Sequence, residues 1–155
     1  MKQYDIERFK RFLADYRALG YDLKEYNDRL SQYDLQIETL FDLKGVRYDQ
    51  VVVQGGPDPH IKERIRLDLI DRQRRIESKI SSVQSKLDVI DKFRRFGGEV
   101  TEAAFRLYSL KYDSETGERY TFDEESKRLF MSKSSLKRKI DKEIERFLKV
   151  EPRTA

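Results

Sequence analysis

Two long apolar stripes at coiled-coil spacing constrain the fold of this chain more than any other feature. Between Leu23 and Leu40 apolar residues recur in alternating steps of three and four, and between Leu69 and Ile90 they recur every seven. This spacing is typical of a seam in which side chains of one helix pack between those of a partner helix. Helices this polar are not stable alone, so we expect the two to pair antiparallel with each other, or with a second copy of the chain.

The predicted fold class is all-α, in two modules. Residues 1–96 are predicted to form an N-terminal helical coiled-coil hairpin, which also serves oligomerisation, with a loop at 42–59. Residues 97–155 are predicted to form a C-terminal helix-turn-helix module. The boundary is placed at Gly97 and Gly98, because paired glycines tolerate positive φ and end helices.

Local signals also predict helix ends. A long helix is predicted over residues 60–95, and Gly20 followed by Asp22 indicates a helix stop with a new N-cap behind it. Thr101 is a candidate cap for the helix that follows the paired glycines.

Composition excludes several classes of protein. The chain has no cysteine and a single histidine, His60, so it lacks disulfides, thiolate metal sites and a nucleophile paired with a base. We therefore expect no enzyme activity, no cofactor and no bound metal. No segment reaches the roughly 20 apolar residues that a membrane span needs, and the charged N-terminus does not resemble a signal peptide. The predicted location is the cytoplasm, with no membrane partner.

The segment 121–149 has the residue spacing of a DNA-binding helix-turn-helix. Ser126 is the small residue where two helices would cross, Phe130 falls in the turn, and Leu136 would face back onto the first helix. Ser132 is a natural N-cap for the second helix, because its hydroxyl can accept a hydrogen bond from a free backbone N–H. Residues 127–155 hold ten basic and four acidic side chains, which suits a helix that faces phosphate.

The second helix would present donor-rich side chains outward, of the types that contact phosphates and base edges in a major groove. These are Lys133, Ser134, Ser135, Lys137 and Arg138.

The region 100–148 resembles DNA-binding region four of bacterial sigma factors, with a helix that ends in LYSLKY, a linker and then the helix-turn-helix. Together with the upstream coiled coil and the segment KGVRYDQVVVQGG at 44–56, nearly the whole chain resembles the ArpU and RinA type of phage-encoded transcriptional regulators. That resemblance implies an activator of phage genes, with operator DNA and host RNA polymerase as partners. It maps the DNA-reading positions onto Ser132, Lys133, Ser134, Ser135, Lys137 and Arg138, with Lys142 reaching a phosphate.

The chain departs from the family pattern at two positions. Glu125 stands where an apolar residue usually packs the first helix, and Phe130 stands where glycine is commonest. The loop 44–56 has two interpretations that the sequence leaves open, a strand that pairs across a subunit interface and a docking surface for polymerase.

The sequence-based hypothesis is therefore a DNA-binding transcriptional activator that acts as a homo-oligomer on double-stranded DNA. Lys137 and Lys142 would contact phosphates, and Lys133, Ser134, Ser135 and Arg138 would read bases. The main alternative is a structural or adaptor protein whose coiled coil binds other proteins.

Overall fold

The computed structural model describes residues 3–41 and 60–150. Every regular element in these ranges is helical, so the chain is all-α as predicted. The elements are α1 (Gln3–Ala14), α2 (Tyr16–Phe41), α3 (Ile61–Phe96), α4 (Glu99–Ala104), a π-helical segment (Phe105–Leu110), α5 (Phe122–Arg128) and α6 (Lys133–Val150). The predicted loop 42–59 lies outside the described residues. Within the described part of the chain, no helix is long and apolar enough to cross a membrane.

The chain folds into two compact units. Unit 1 comprises Met1–Tyr21 and Gln84–Ala155, and unit 2 comprises Asp22–Val83. This division differs from the predicted modules 1–96 and 97–155, because α1 and the last part of α3 belong with the C-terminal helices. The paired glycines end α3, as predicted, but they are followed by helices that pack back within the same unit.

Unit 1 has a core of aromatic rings from three helices. Phe9 of α1, Phe93 of α3 and Phe147 of α6 are fully or almost fully buried. Their ring centroids lie 5.1 to 5.6 Å apart, in edge-on and tilted pairs. Such pairs contribute roughly 0.5–1.5 kcal/mol each beyond the area that they bury. This cluster therefore holds α6 against α1 and the end of α3.

The turn between α3 and α4 is closely packed. A Cβ atom at Gly97 would lie 2.9 Å from the Thr101 methyl group and 2.6 Å from a carboxylate oxygen of Glu143 on α6, so only glycine fits there without displacement. Thr101 is not the predicted N-cap, because it lies inside α4. Its buried hydroxyl accepts from the Gly97 N–H and donates to the Arg94 carbonyl, both at 2.9 Å. It thereby ties the end of α3 to α4.

The predicted helix stop at Gly20 is wrong. The break falls at Asp15, and Gly20 lies inside α2. The first turn of α2 is anchored from outside the helix: the Tyr16 ring packs edge-on against Phe105 at 5.0 Å, and Arg17 donates to the carbonyl of Leu110 at 2.8 Å. A single glycine costs a helix about 1 kcal/mol, which such tertiary contacts can offset.

Unit 2 contains the apolar stripe of α2 and the first part of the α3 stripe, from Leu69 to Val83; the rest of the α3 stripe, to Ile90, belongs to unit 1. The Gln73 amide on α3 donates to the Asp34 carboxylate on α2, and the Lys79 Nζ lies 5.6 Å from the centroid of the Tyr26 ring. The two contacts run in opposite order along the helices, as an antiparallel pair requires. The coiled-coil packing itself remains a prediction.

Candidate nucleic-acid interface

The first helix of the candidate interface, α5, is capped at both ends. At its start, the Thr121 hydroxyl accepts a hydrogen bond from the Glu124 N–H at 3.2 Å. At its end, the Met131 N–H donates to the Ser126 carbonyl at 3.0 Å and the Phe130 N–H donates to the Lys127 carbonyl at 3.2 Å. This pair of bonds is a Schellman motif, which stops a helix with one left-handed residue.

Phe130 is that left-handed residue, with φ at 56°. The departure from glycine that the sequence shows here therefore leaves the turn geometry intact but strained, since a side chain at positive φ costs roughly 1–2 kcal/mol. The ring offsets none of this through packing, because 96% of the residue is exposed. The turn between α5 and α6 carries a large apolar side chain directed into solvent.

The second helix begins as predicted. The Ser132 hydroxyl accepts from the Ser135 N–H at 3.1 Å, which makes Ser132 the N-cap of α6. The face of α6 that packs onto the rest of unit 1 is fully or almost fully buried and consists of Leu136, Ile140, Ile144 and Phe147. Leu136 thus faces inward as the pattern predicts, and Ser126 of α5 is also buried.

Three of the predicted DNA-contacting residues share the opposite face of α6. Ser134, Arg138 and Lys142 follow one another at intervals of four residues, so they form one row along the helix. All three are exposed. The Arg138 Nε donates to the Ser134 carbonyl at 3.4 Å, which leaves the two terminal amino groups of the guanidinium for an external acceptor. We call this row the outer row.

Lys133 and Lys137 lie instead along the edge of α6 that faces the start of α5. The Lys133 Nζ lies 3.6 Å from an Asp123 carboxylate oxygen, and the Lys137 Nζ lies 5.1 Å from the centroid of the Phe122 ring. The Lys133 and Asp123 side chains are both more than half exposed, so their ion pair is weak and can exchange for phosphate.

The remaining two predicted residues, Ser132 and Ser135, are tied to the helix start. The Ser132 Oγ accepts the capping bond from Ser135, and it lies 3.3 Å from the Ser134 Oγ. Ser135 itself is only half-exposed. The structure therefore places all seven residues on α6 or at its N-cap, but divides them among an outer row, an edge and the helix start.

Sequence reasoning missed a buried ion pair beneath the interface. The Glu125 carboxylate, 1% exposed, accepts two hydrogen bonds from the Arg106 guanidinium, at 2.9 and 2.8 Å. The bonds to Glu125 raise the pKa of Arg106, outweighing its burial. The pair connects the π-helical segment to α5, in place of the apolar contact expected from the family pattern. The only signal in the sequence was the acidic residue at an inward position.

The linker before α5 is a short hairpin rather than an extended connection. The Tyr120 N–H donates to the Lys111 carbonyl at 2.9 Å, and the Asp113 N–H donates to the Glu118 carbonyl at 2.8 Å. Gly117, at φ 75°, makes the turn. These bonds hold the two ends of the segment side by side. Residues 111–120 therefore keep the end of the π-helical segment close to the start of α5.

In the described ranges, no group of three or more histidine or acidic side chains is arranged to hold a metal ion. This includes the acidic first turn of α5, where the carboxylates are favoured by the helix dipole.

Comparisons with protein-family models, with curated proteins and with solved structures found no match for this chain.

Proposed function

We propose that this protein is a sequence-specific DNA-binding transcriptional regulator that reads a major groove with α6. The observation that carries the proposal is the outer row. Its members are exposed, evenly spaced and turned away from the buried face of the same helix. Arginine, lysine and serine are the residue types that donate to base edges and phosphates.

The edge of α6 adds to the proposal. Lys133 and Lys137 place two further cations beside the outer row, at the start of the helix, where the helix dipole also favours an anion. In this arrangement Arg138 and Ser134 read bases, and Lys137 and Lys142 contact phosphates on either side. Phosphate contacts of this kind make affinity depend strongly on salt.

The resemblance to the ArpU and RinA type extends the proposal to an activator of phage or prophage genes that acts with host RNA polymerase. A run-off transcription assay with purified bacterial polymerase, on a template that carries the bound sequence, tests this extension. Activation requires more transcript with the protein than without it. Unchanged or reduced transcript on a template that the protein occupies would rule out the activator.

The test of DNA binding itself is a mobility-shift assay on the DNA that flanks the gene. We expect Arg138→Ala with Lys142→Ala to weaken binding by about 10- to 100-fold, since a good base contact is worth roughly 1–3 kcal/mol and a phosphate contact adds to it. The matched control is Arg74→Ala with Lys86→Ala, two exposed cations that are not part of the candidate interface. Equal losses of affinity in both variants would mean that the outer row contributes only its positive charge to DNA binding, and no specific contact.

A structural or adaptor role is the second candidate, and unit 2 supports it. The α2 seam residues from Leu23 to Ile37 are only partly buried there. A partly covered apolar stripe along a helix suits a protein partner or a second copy. Undetectable DNA binding at low salt, together with a dimer or larger mass in solution, would favour this candidate. A homo-oligomer that also binds DNA would place two readers on one operator and increase affinity by avidity.

A further inference from the structure

A cavity of about 310 Å³ lies where the hairpin 111–120 meets the π-helical segment and the end of α1. Its wall includes Tyr108 of the π-helical segment, Lys111, Arg119 and Tyr120 of the hairpin, and the capping Thr121. The other two lining residues, Ala14 and Leu107, are apolar, and none of the lining residues carries a carboxylate. The lining residues therefore include two cations and three side chains that carry a hydroxyl group, and no carboxylate.

The two cations of the cavity are exposed. Among the residues that the structure describes, neither Lys111 nor Arg119 has an ion pair with a carboxylate. By contrast, the neighbouring Arg106 has both Glu125 and Glu102 within 4.0 Å. Two such cations at one concave surface repel each other, and an anion between them removes that cost.

The hydroxyl groups add neutral donors. The Thr121 oxygen accepts from the Glu124 N–H as the cap of α5, so its own O–H is left to donate elsewhere. Burial raises the pKa of Tyr108, although nearby Lys10 acts against this, so its phenol keeps its proton at neutral pH and adds no negative charge to the cavity wall. A tetrahedral oxyanion accepts several such bonds at once, whereas an apolar ligand would leave these groups unsatisfied.

The cavity adjoins the candidate interface. The Tyr108 and Phe122 rings pack edge-on with centroids 6.0 Å apart, and the Lys137 Nζ lies 5.1 Å from the centroid of that same Phe122 ring. The Phe122 ring therefore contacts both Tyr108 of the cavity wall and Lys137 on the edge of α6.

We propose that this cavity is a phosphate site, and that it holds a backbone phosphate of the duplex whose groove receives α6. The assignment of that phosphate to a DNA backbone rests on the proposed function. The site would fix the angle at which α6 enters the groove, since a contact from the hairpin and a contact from α6 define two separate points on the DNA backbone. Lys111 and Arg119 supply the charge, and the hydroxyl groups supply orientation.

The test uses the double variant Lys111→Gln with Arg119→Gln in the full chain. The control, Arg74→Gln with Lys86→Gln, removes the same charge from exposed positions outside the cavity. Affinity for a short random-sequence duplex is measured over a series of salt concentrations. We expect the cavity variant to bind about tenfold more weakly, and its slope of log affinity against log salt to fall by roughly one, since one phosphate contact contributes about 0.9. The control should keep the wild-type slope, and so should the cavity variant if the proposal is wrong.

A second measurement separates this inference from the proposed function. Inorganic phosphate is titrated into the labelled chain while backbone amide signals are followed by NMR. Saturable shifts at Lys111, Arg119 and Thr121 that the double variant loses support a phosphate site even if no duplex binds. Shifts in the wild type combined with an unchanged DNA slope would show a site for free phosphate and overturn the backbone contact. Absence of both effects would overturn the site altogether.

Discussion

The two compact units bury their apolar residues to very different degrees. In unit 1 the aromatic cluster of Phe9, Phe93 and Phe147 is fully or almost fully enclosed. In unit 2 the apolar seam residues of α3 are buried, and so is Leu40 of α2. The other seam residues of α2 are only partly buried, namely Leu23, Tyr26, Leu30, Tyr33 and Ile37. Unit 1 therefore encloses its aromatic core completely, whereas unit 2 leaves part of its apolar seam in contact with solvent.

The largest expected effect tests this difference directly. We expect Phe93→Ala to reduce the free energy of unfolding by about 3–5 kcal/mol, because it opens a cavity among three enclosed rings. Leu30→Ala in unit 2 should cost less, about 1–2 kcal/mol, because its side chain is only partly buried and its removal leaves no enclosed cavity. Urea unfolding followed by circular dichroism, on dilute protein, measures both. Equal losses would mean that unit 2 is as well enclosed as unit 1.

A second prediction concerns the buried ion pair between Arg106 and Glu125 in unit 1. Glu125→Ala should cost about 3 kcal/mol or more, because it leaves Arg106 without its main partner in a site where only 17% of that side chain is exposed. The paired replacement of Arg106→Met with Glu125→Leu should restore most of the loss, since it removes both charges and keeps the volume. Thermal unfolding distinguishes the two outcomes. If the paired variant is as unstable as Glu125→Ala, the pair contributes more than mutual neutralisation.

Local signals in the sequence predicted some helix ends and missed others, Gly20 and Thr101 among them. Gly97 and Gly98 ended α3, and Ser132 began α6, because each acts through bonds or dihedrals within a few residues. The helix stop predicted at Gly20 was wrong, because the start of α2 is set by contacts with residues about 90 positions away. The position of a helix break is thus predictable where local chemistry decides it, and not where tertiary contacts do.

The same distinction applies to the candidate interface. Helical periodicity placed Ser134 and Arg138 on an exposed face, and the resemblance added Lys142 to the same set. Neither the periodicity nor the resemblance could show that Lys133 and Lys137 turn towards α5. Nor could they show that Glu125 pairs with Arg106, 19 residues earlier. The sequence did not predict the hairpin 111–120 either, because its charged residues resemble those of any polar linker.

A third prediction exploits the strained turn of unit 1. Phe130→Gly should raise the free energy of unfolding by about 0.5–1 kcal/mol, because glycine adopts the left-handed conformation freely and the exposed ring loses no packing. Leu35→Gly, inside α2 of unit 2, is the opposing control and should destabilise, since glycine costs about 1 kcal/mol in a helix. Chemical denaturation reports both signs. A loss of stability at Phe130 would show that its ring makes contacts in solution.

The smallest expected effect is a difference in acid sensitivity between ion pairs of the two units. In unit 1, Arg94 donates three hydrogen bonds to Glu102, and these bonds lower the pKa of Glu102 despite partial burial. A carboxyl whose pKa is lower in the folded state than in the unfolded chain stabilises the fold above its ordinary value of 4.5. That contribution is lost as the pH falls through the lower, folded value.

We therefore expect Glu102→Gln to be less stable than the wild type at neutral pH, and to lose less of its stability between neutral pH and a pH below 4.5. Asp68→Asn, which removes an exposed pair with Arg72 in unit 2, should change neither quantity measurably, because both side chains are more than half exposed to screening solvent. Thermal midpoints measured across this pH range give both slopes. Parallel curves for wild type and Glu102→Gln would assign the acid sensitivity of unit 1 to other carboxylates, because a neutral amide at that position cannot titrate.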